Sequence, residues 1–244
     1  MNKKKIVITG GSSGIGDHLV NSFLNDGHHV TCISRSIPKI KSKNLKNIKC
    51  DLSNLELSEK KIKRLLNFKF DVLINNAGDL GEIGKLRDIN FKKWCKSFNL
   101  NLFVHTLITK LTLKLIKPKK GVIIFISGGG SATPFPGFSA YSLAKTSLVR
   151  LTENLSYEEK KIKFYIIAPG PNNTKILKKS LSNGHHVDKK KIVTPDLTKK
   201  LCDFLIKKKP AYLNGKFIHV KDDYKQIKNR IDKNYLCLRR VETK

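Results

Sequence analysis

The sequence predicts a doubly wound α/β fold, in which about seven parallel strands form one sheet with helices on both faces. Short β-branched runs alternate with longer segments of helical spacing along the chain, which is typical of parallel strand pairing. The strand segments are almost continuously apolar, as expected for strands that are covered on both sides. No repeat or linker-like stretch interrupts this alternation in the 244 residues, so we expect one domain over residues 1–244.

Seven segments have the composition of buried strands. In chain order they are Lys5–Thr9, His29–Ser34, Asn47–Cys50, Asp71–Asn75, Gly121–Ser127, Lys163–Ala168 and Gly215–Val220. Between them, apolar residues at helical spacing predict five helices. These are Gly14–Asn25, Leu55–Asn67, Phe91–Ile116, Ser139–Lys160 and Pro195–Lys208.

The longest irregular stretch covers residues 172–194 and follows the sixth predicted strand. In an open α/β sheet, a loop after the carboxyl end of a strand lies over the ligand crevice. This position favours a substrate lid over a mobile surface loop, the other interpretation. The tail, residues 224–244, follows the last predicted strand, and we expect it to cover the crevice or a neighbouring subunit.

The net charge of +30 comes from 49 basic and 19 acidic residues. Most of the basic residues are lysines, which occur in twos and threes along the whole chain. Sequence-specific nucleic-acid contacts favour the planar fork of arginine, and no recognition motif accompanies the lysines. The size of the charge alone would suit a nucleic-acid binder, but its dispersed, lysine-rich pattern argues against nucleic-acid binding and leaves only a weak attraction for anionic ligands.

Other classes of protein are excluded by simple patterns. No apolar run reaches the roughly 18 residues of a membrane span, and the N-terminal residues do not resemble a secretory signal. Five scattered cysteines form no Cys-x-x-Cys pair, and the paired histidines His28-His29 and His185-His186 lack further ligands. We expect a cytoplasmic protein without a metal site.

A glycine-rich turn joins the first predicted strand to the first helix, with the sequence Thr9-Gly10-Gly11-Ser12-Ser13-Gly14-Ile15-Gly16. Glycines let the backbone approach a phosphate, and the helix N-terminus supplies free N–H groups and the positive end of its dipole.

The second strand ends at Ser34-Arg35, where NAD-dependent enzymes carry a carboxylate for the ribose. Arg35 suits a 2′-phosphate, so the sequence favours NADP over NAD, although a solvated arginine is the alternative.

Tyr141 and Lys145 lie four residues apart, on one face of a predicted helix. A phenol has a reference pKa of about 10, which is too high for proton transfer near neutral pH. A neighbouring ammonium stabilises the phenolate and lowers that pKa. The pair therefore indicates general acid–base chemistry, unless it lies on an exposed helix face.

With these motifs, the sequence resembles the short-chain dehydrogenase/reductase family over nearly its full length. Further matches are Asp51 after the third strand, Asn75-Asn76-Ala77-Gly78 after the fourth, Asn101 in the long helix, Tyr141-Ser142-Leu143-Ala144-Lys145, and Pro169-Gly170 with Thr174. The resemblance implies a Rossmann-type fold, an NADP(H) cofactor, a small-molecule substrate and a homodimer or homotetramer.

The resemblance also implies a role for each matching residue. Tyr141 would be the acid in reduction and the base in oxidation, Lys145 would hold the nicotinamide ribose, and Asn101 would hold a water of a proton relay. The remaining matches would contact the cofactor. They are Gly10, Ser12, Ser13, Gly14, Ile15 and Gly16 at the glycine turn, Ser34 and Arg35, Asp51 and Leu52 at the adenine, Asn76, Ala77 and Gly78 at the adenosine ribose, and Pro169, Gly170 and Thr174 at the carboxamide.

One position departs from the family pattern. The active-site serine of the family lies thirteen residues before the tyrosine, and Gly128 occupies that position here. Ser127 lies one residue earlier, in the stretch Ser127-Gly128-Gly129-Gly130-Ser131, and we expect its hydroxyl to turn towards Tyr141 and the substrate oxygen. Ser131 is a further candidate, and the alternative is that Ser127 points into the sheet.

The expected function is NADP-dependent hydride transfer between the nicotinamide and a carbonyl or secondary alcohol of a small, anionic metabolite. The alternative is a dinucleotide-binding sensor, or a catalytically impaired protein of the same fold, and Gly128 is its only support.

Overall fold

The computed structural model describes residues 3–118, 121–226 and 237–238. It contains one parallel sheet with the strand order β3-β2-β1-β4-β5-β6-β7. The strands are β1 (Lys5–Thr9), β2 (His29–Ser34), β3 (Leu45–Lys49), β4 (Val72–Asn75), β5 (Val122–Ile126), β6 (Lys163–Ala168) and β7 (Phe217–His219). The predicted fold class and all seven strand segments are confirmed, with shifts of a few residues at some ends.

Seven α-helices surround the sheet in the described part of the chain. They are α1 (Gly14–Asn25), α2 (Leu55–Leu65), α3 (Phe91–Phe98), α4 (Val104–Thr112), α5 (Ser139–Glu158), α6 (Lys175–Leu181) and α7 (Pro195–Lys208). None of the described helices is long and apolar enough to cross a membrane.

Two predictions about helices were wrong in detail. The expected helix over Phe91–Ile116 is divided, because a π-helical turn at Asn99–Phe103 lies between α3 and α4 and the helix ends at Thr112. The segment 172–194 is not irregular throughout. Thr174 caps the N-terminus of α6, its hydroxyl accepting a hydrogen bond from the N–H of Leu177 at 3.4 Å.

The core has two layers, one on each side of the sheet, because successive side chains of a strand point to opposite faces. Ile6 and Ile8 of β1 pack in the layer that contains the apolar faces of α1 and α7. Val7, between them, belongs to the layer with α2, α4 and α5. Both faces of every central strand are covered, which explains their continuous apolar runs.

The sheet order also fixes where a ligand can bind. β1 pairs with β2 on one side and with β4 on the other, so the strand order reverses between β1 and β4. In doubly wound folds the crevice opens at this reversal, outside the carboxyl ends of the strands. The glycine turn after β1 and the Asn76–Gly78 turn after β4 therefore meet at one edge of the sheet.

Most of the tail expected to cover the crevice or a subunit lies outside the described residues. Where the chain is described at residues 237–238, the carbonyl of Leu238 accepts a hydrogen bond from Arg150 of α5 at 2.6 Å. Leu238 also packs against the core layer that contains α5.

Candidate active site

A cavity of about 1060 Å³ lies at the carboxyl ends of the strands. It brings together the glycine turn, Arg35, Asp51, Tyr141 and Lys145, which lie far apart in the sequence. Every site residue predicted from the sequence lines this cavity except Asn101 and the alternative serine, Ser131. Asn101 is completely buried behind the wall, in the π-helical turn between α3 and α4.

The glycine turn is shaped for close backbone approach. Gly10 and Gly14 have φ values of +67° and +57°, which favour glycine. A Cβ atom on Gly10 would overlap the backbone of Ala77, and the side-chain amide of Asn76 donates to the Gly10 carbonyl at 3.1 Å. The turn and the segment after β4 therefore form one compact wall.

The first turn of α1 is open to an anion. Its N-cap residue, Ser13, makes no side-chain hydrogen bond to the helix, whereas the N-cap residues Asn54 of α2 and Asn90 of α3 do. Ser12, Ser13 and Gly14 all line the cavity. Free N–H groups at the start of a twelve-residue helix fit a diphosphate.

Two charged groups lie at the other end of the cavity, where strands β2 and β3 end. Arg35 is exposed, and its guanidinium is accessible to a phosphate. Asp51 accepts hydrogen bonds from the N–H and hydroxyl of Ser53, at 3.1 and 2.8 Å, and these bonds, with a smaller contribution from Arg35, hold the pKa of Asp51 below its ordinary value. Ser34 uses its hydroxyl locally, donating to the carbonyl of Ser36 at 2.6 Å.

Tyr141 and Lys145 lie on the buried face of α5. The Lys145 ammonium donates to the carbonyl of Ile126 at 3.0 Å and lies 5.7 Å from the centre of the Tyr141 ring. Burial lowers the pKa of Lys145 to about 8, against the opposing effect of the nearby Asp79 carboxylate. Burial, and secondarily Asp79, raise the pKa of Tyr141, which is opposite to the lowering expected from Lys145 alone.

Two side chains from neighbouring helical turns hold the backbone beside Lys145. Asn101 accepts a hydrogen bond from the N–H of Asp79 at 3.1 Å through Oδ1. His105 of α4, also completely buried, bonds the carbonyl of Ala77 at 2.8 Å. Because a carbonyl only accepts, Nε2 of His105 carries the proton, and burial lowers the pKa of His105 to about 3. His105 is therefore a neutral donor.

The position of the unusual glycine is filled by the tyrosine. A Cβ atom on Gly128 would lie 2.8 Å from Cζ of Tyr141 and still closer to its hydroxyl. Ser127 lines the cavity, but its hydroxyl lies 2.5 Å from that of Ser131. Ser131 donates in turn to the carbonyl of Gly128 at 2.5 Å. The serine expected to turn towards Tyr141 is thus paired with the second candidate serine.

The segment 172–194 forms the outer wall of the cavity. His185 packs edge-on against Phe135, with ring centres 4.6 Å apart, and burial lowers the pKa of His185. Phe135 lies edge-on to Tyr141 at 6.4 Å. The side chains of Lys179 and Lys191, from the same segment, also line the cavity. An aromatic surface therefore lies next to the reacting position, with basic side chains in the outer wall.

The sequence profile described as short chain dehydrogenase matches residues 4–184, about three quarters of the chain. The chain belongs to the short-chain dehydrogenase family. It is an oxidoreductase that acts between CH–OH and C=O groups with a nicotinamide dinucleotide.

Relatives of this short-chain dehydrogenase include named enzymes. It is 27% identical over 199 residues to benzil reductase ((S)-benzoin forming) of Bacillus subtilis, covering 75% of this chain and 82% of that one. It is 29% identical over 198 residues to a benzil reductase of Saccharomyces cerevisiae, covering 72% and 74% of the two chains. Among solved structures, a short chain dehydrogenase family protein of Francisella tularensis superposes with a TM-score of 0.79 at 24% identity, covering 89% of this chain and 96% of the other.

Two residues of this short-chain dehydrogenase site were not singled out in the sequence. Asp79 follows directly after the Asn-Asn-Ala-Gly turn, and a charged residue next to this motif could have been recognised from the sequence as a site residue. His105 lies four residues after Asn101, which puts the two on one helical face.

Proposed function

We propose that the chain is an NADP-dependent carbonyl reductase in which Tyr141 is the general acid. The observation that carries the proposal is that one cavity holds both an accessible arginine at the end of β2 and the buried Tyr141–Lys145 pair. The arginine suits the 2′-phosphate that distinguishes NADP from NAD. Relatives known from structures bind either form, since ElxO is described with NADP bound and 4-hydroxyisoleucine dehydrogenase in complex with NADH.

The residues present fit the dinucleotide along the length of the cavity. The uncapped start of α1 and the residues Ser12–Gly14 would hold the diphosphate, and Gly10, Ile15 and Gly16 would shape the turn. Ser34 and Arg35 would hold the 2′-phosphate. The remaining contacts would follow the family pattern: Asp51 and Leu52 at the adenine, Asn76, Ala77 and Gly78 at the adenosine ribose, and Pro169, Gly170 and Thr174 at the carboxamide.

When bound, the nicotinamide supplies the hydride in reduction and accepts it in oxidation. Tyr141 donates the proton of its hydroxyl to the substrate oxygen in reduction and removes it in oxidation. The hydroxyl is protonated at neutral pH, as an acid in reduction must be, but its raised pKa makes it a weaker acid. Proton transfer would therefore depend on the Lys145 ammonium stabilising the phenolate as it forms. Lys145 orients the ribose and, with Asn101 behind it, returns the proton to Tyr141.

Ser127 is proposed as the second hydrogen-bond donor to the substrate oxygen, within an atypical Ser-Gly-Gly-Gly active-site stretch. In the structure its single O–H proton points to Ser131, because Ser131 donates its own proton to the carbonyl of Gly128. The proposal therefore requires the Ser127 hydroxyl to rotate from Ser131 to the substrate oxygen when the substrate binds. With Gly128 at the family's usual serine position, no side chain separates the Tyr141 hydroxyl from the loop backbone.

The wall formed by Phe135 and His185 favours a substrate with a flat apolar group beside its carbonyl. The similarity to two benzil reductases supports aromatic diketones as the first compounds to test. Lys179 and Lys191 in the outer wall favour an anionic group farther from the reacting carbon.

We also propose a homodimer or homotetramer, supported by the exposed apolar side chains of Phe91, Phe103 and Leu143.

The test combines binding and turnover. NADPH and NADH affinities are measured by titration of the purified protein, and oxidation of NADPH is then followed with aromatic diketones and with carboxylated ketones. We expect tighter binding of NADPH and turnover that depends on Tyr141. NADPH binding without turnover of any carbonyl compound would instead support a dinucleotide-binding sensor, and equal affinity for the two cofactors would contradict the role of Arg35.

A further inference from the structure

Lys145 is a cation in an almost closed site. Its side chain is 2% exposed, and one of its N–H groups is bonded to a neutral carbonyl, that of Ile126. A buried ammonium loses its hydration and is unfavourable unless a negative charge or several acceptors compensate. The groups that face it are therefore decisive for whether it stays protonated.

The surroundings of Lys145 contain a single anionic group among the described residues. Tyr141, on the same helix, is a neutral phenol at physiological pH, because its pKa is raised. His105 of α4 is neutral, and its pKa is lowered first by burial and then by Lys145 itself. Asn101 is an uncharged amide. Asp79, in the segment after β4, is the group whose charge favours the ammonium.

Asp79 is fixed in place from two sides. Its own N–H donates to Oδ1 of Asn101 at 3.1 Å, and its carboxylate accepts the N–H of Gly81 at 2.8 Å. The backbone just before it packs on the ammonium, since a Cβ atom on Gly78 would lie 3.4 Å from Nζ of Lys145. The backbone at Asp79 is thus held beside Lys145, Asp79 lines the same cavity, and the negative charge of its carboxylate favours the ammonium.

The geometry leaves space between the two charges. No ion pair within 4.0 Å joins Asp79 and Lys145 in the described part of the chain. The charge of Asp79 therefore acts across the cavity wall, while the remaining N–H groups of Lys145 stay available to a ligand. A direct salt bridge would instead compete with ribose hydroxyls for the same donors.

We propose that Asp79 is the counter-charge that keeps Lys145 protonated in this closed site and thereby sets the upper pH limit of cofactor binding and of catalysis. Asp79 is a positioning residue in this assignment, because it acts through Lys145. The inference rests on the proposed function in one respect, namely that Lys145 holds the nicotinamide ribose.

Asp79→Asn is the informative change, because asparagine keeps both anchoring hydrogen bonds and removes only the charge. Without the carboxylate the ammonium is disfavoured, so the pKa of Lys145 falls below its present value of about 8. NADPH affinity should then weaken at a pH about one unit lower than in the wild type. The alkaline limb of kcat should move in the same direction by a similar amount.

The experiment measures the dissociation constant of NADPH by fluorescence titration between about pH 6 and about pH 10, which spans the expected titration of Lys145. Asp79→Glu should restore most of the wild-type profile. Asp188→Asn is the matched control, because Asp188 lines the same cavity from the outer segment and should leave the profile unchanged. In a Lys145→Met background, Asp79→Asn should no longer shift the profile, since the ammonium is absent.

The outcomes separate this inference from the proposed function. If the wild-type protein does not bind NADPH at any pH, the proposed function fails regardless of Asp79. If it binds NADPH with an alkaline limb that Asp79→Asn leaves in place, the proposed function stands and the role of Asp79 is overturned. A shift that persists in the Lys145→Met background would also overturn it, because the charge would then act on another group.

Discussion

Replacing Gly128 with alanine tests whether the Tyr141 hydroxyl is held against the loop after β5. The added Cβ would lie 2.8 Å from Cζ and 3.0 Å from Cε1 of Tyr141, well inside van der Waals contact. Gly128 does not require a positive φ, so the conflict is with the tyrosine and not with the backbone. Tyr141 packs in a small cluster with Leu80 and Phe138, and its hydroxyl, which the added Cβ would overlap most, must move by about 1 Å.

Displacing a reacting group by about 1 Å commonly lowers the rate roughly a hundredfold. Overpacking of this kind also lowers the free energy of unfolding, by about 1–3 kcal/mol. We therefore expect Gly128→Ala to lower kcat about a hundredfold, with NADPH affinity nearly unchanged. Gly128→Ser, which restores the residue usual in the family, should be no better, because its Cβ meets the same atoms.

The assay is steady-state oxidation of NADPH with a confirmed carbonyl substrate, together with NADPH titration and a thermal melt of each variant. Gly129→Ala is the matched control, because its Cβ would lie 3.4 Å from Phe135, an ordinary contact. Wild-type turnover in Gly128→Ala, or higher turnover in Gly128→Ser, would show that the tyrosine hydroxyl does not occupy the place of the serine.

Three further substitutions test the assigned roles. Tyr141→Phe should abolish turnover and leave the NADPH dissociation constant nearly unchanged, because only the proton donor is lost; wild-type activity would refute the acid–base role. Arg35→Ala should reduce the preference for NADPH over NADH by about ten- to a hundredfold, the value of one charge-assisted hydrogen bond, in parallel titrations of both cofactors. Ser127→Ala should lower kcat by about 10²–10³, and adding Ser131→Ala should cost little more, since the two hydroxyls form one pair. Additive losses would show that the serines act separately.

The sheet and the location of the site could be predicted from the sequence for one physical reason. Parallel strands covered on both faces appear as apolar runs, and their carboxyl ends meet at one edge, so the turns after β1 and β4 had to lie together. The helix α6 escaped prediction because Lys175–Leu181 is short and carries three lysines. The π-helical turn at Asn99–Phe103 keeps the apolar spacing of a helix and leaves no distinct signal in the sequence.

Contacts within the site could not be predicted in the same way. The pairing of Ser127 with Ser131 depends on the backbone path through three glycines, which the sequence leaves open. The direction of the pKa shift of Tyr141 could not be predicted either, because it depends on how deeply the fold buries the phenol. The spacing of Tyr141 and Lys145 predicts that they are neighbours, but not that the surrounding fold excludes water from both.

His105 gives a prediction about stability that needs no substrate. The unfolded chain binds a proton at His105 below about pH 6.5, whereas in the folded chain the buried ring does so only near pH 3. Between these values the unfolded state binds more protons, so the free energy of unfolding falls as the pH falls, by up to about 1.4 kcal/mol per pH unit. At about pH 5 the loss attributable to this group is roughly 2 kcal/mol relative to neutral pH.

His105→Gln removes the titration and retains a side-chain N–H for the Ala77 carbonyl. Urea unfolding of both proteins at neutral pH and at about pH 5 measures the acid-induced loss in each, and we expect the loss to be smaller in the variant by roughly 2 kcal/mol. The other histidines are the same in both proteins, so their contributions cancel in this difference. An equal acid-induced loss in the two proteins would mean that the ring is protonated in the folded state at pH 5, and the assignment of His105 as a neutral donor to Ala77 would then be wrong.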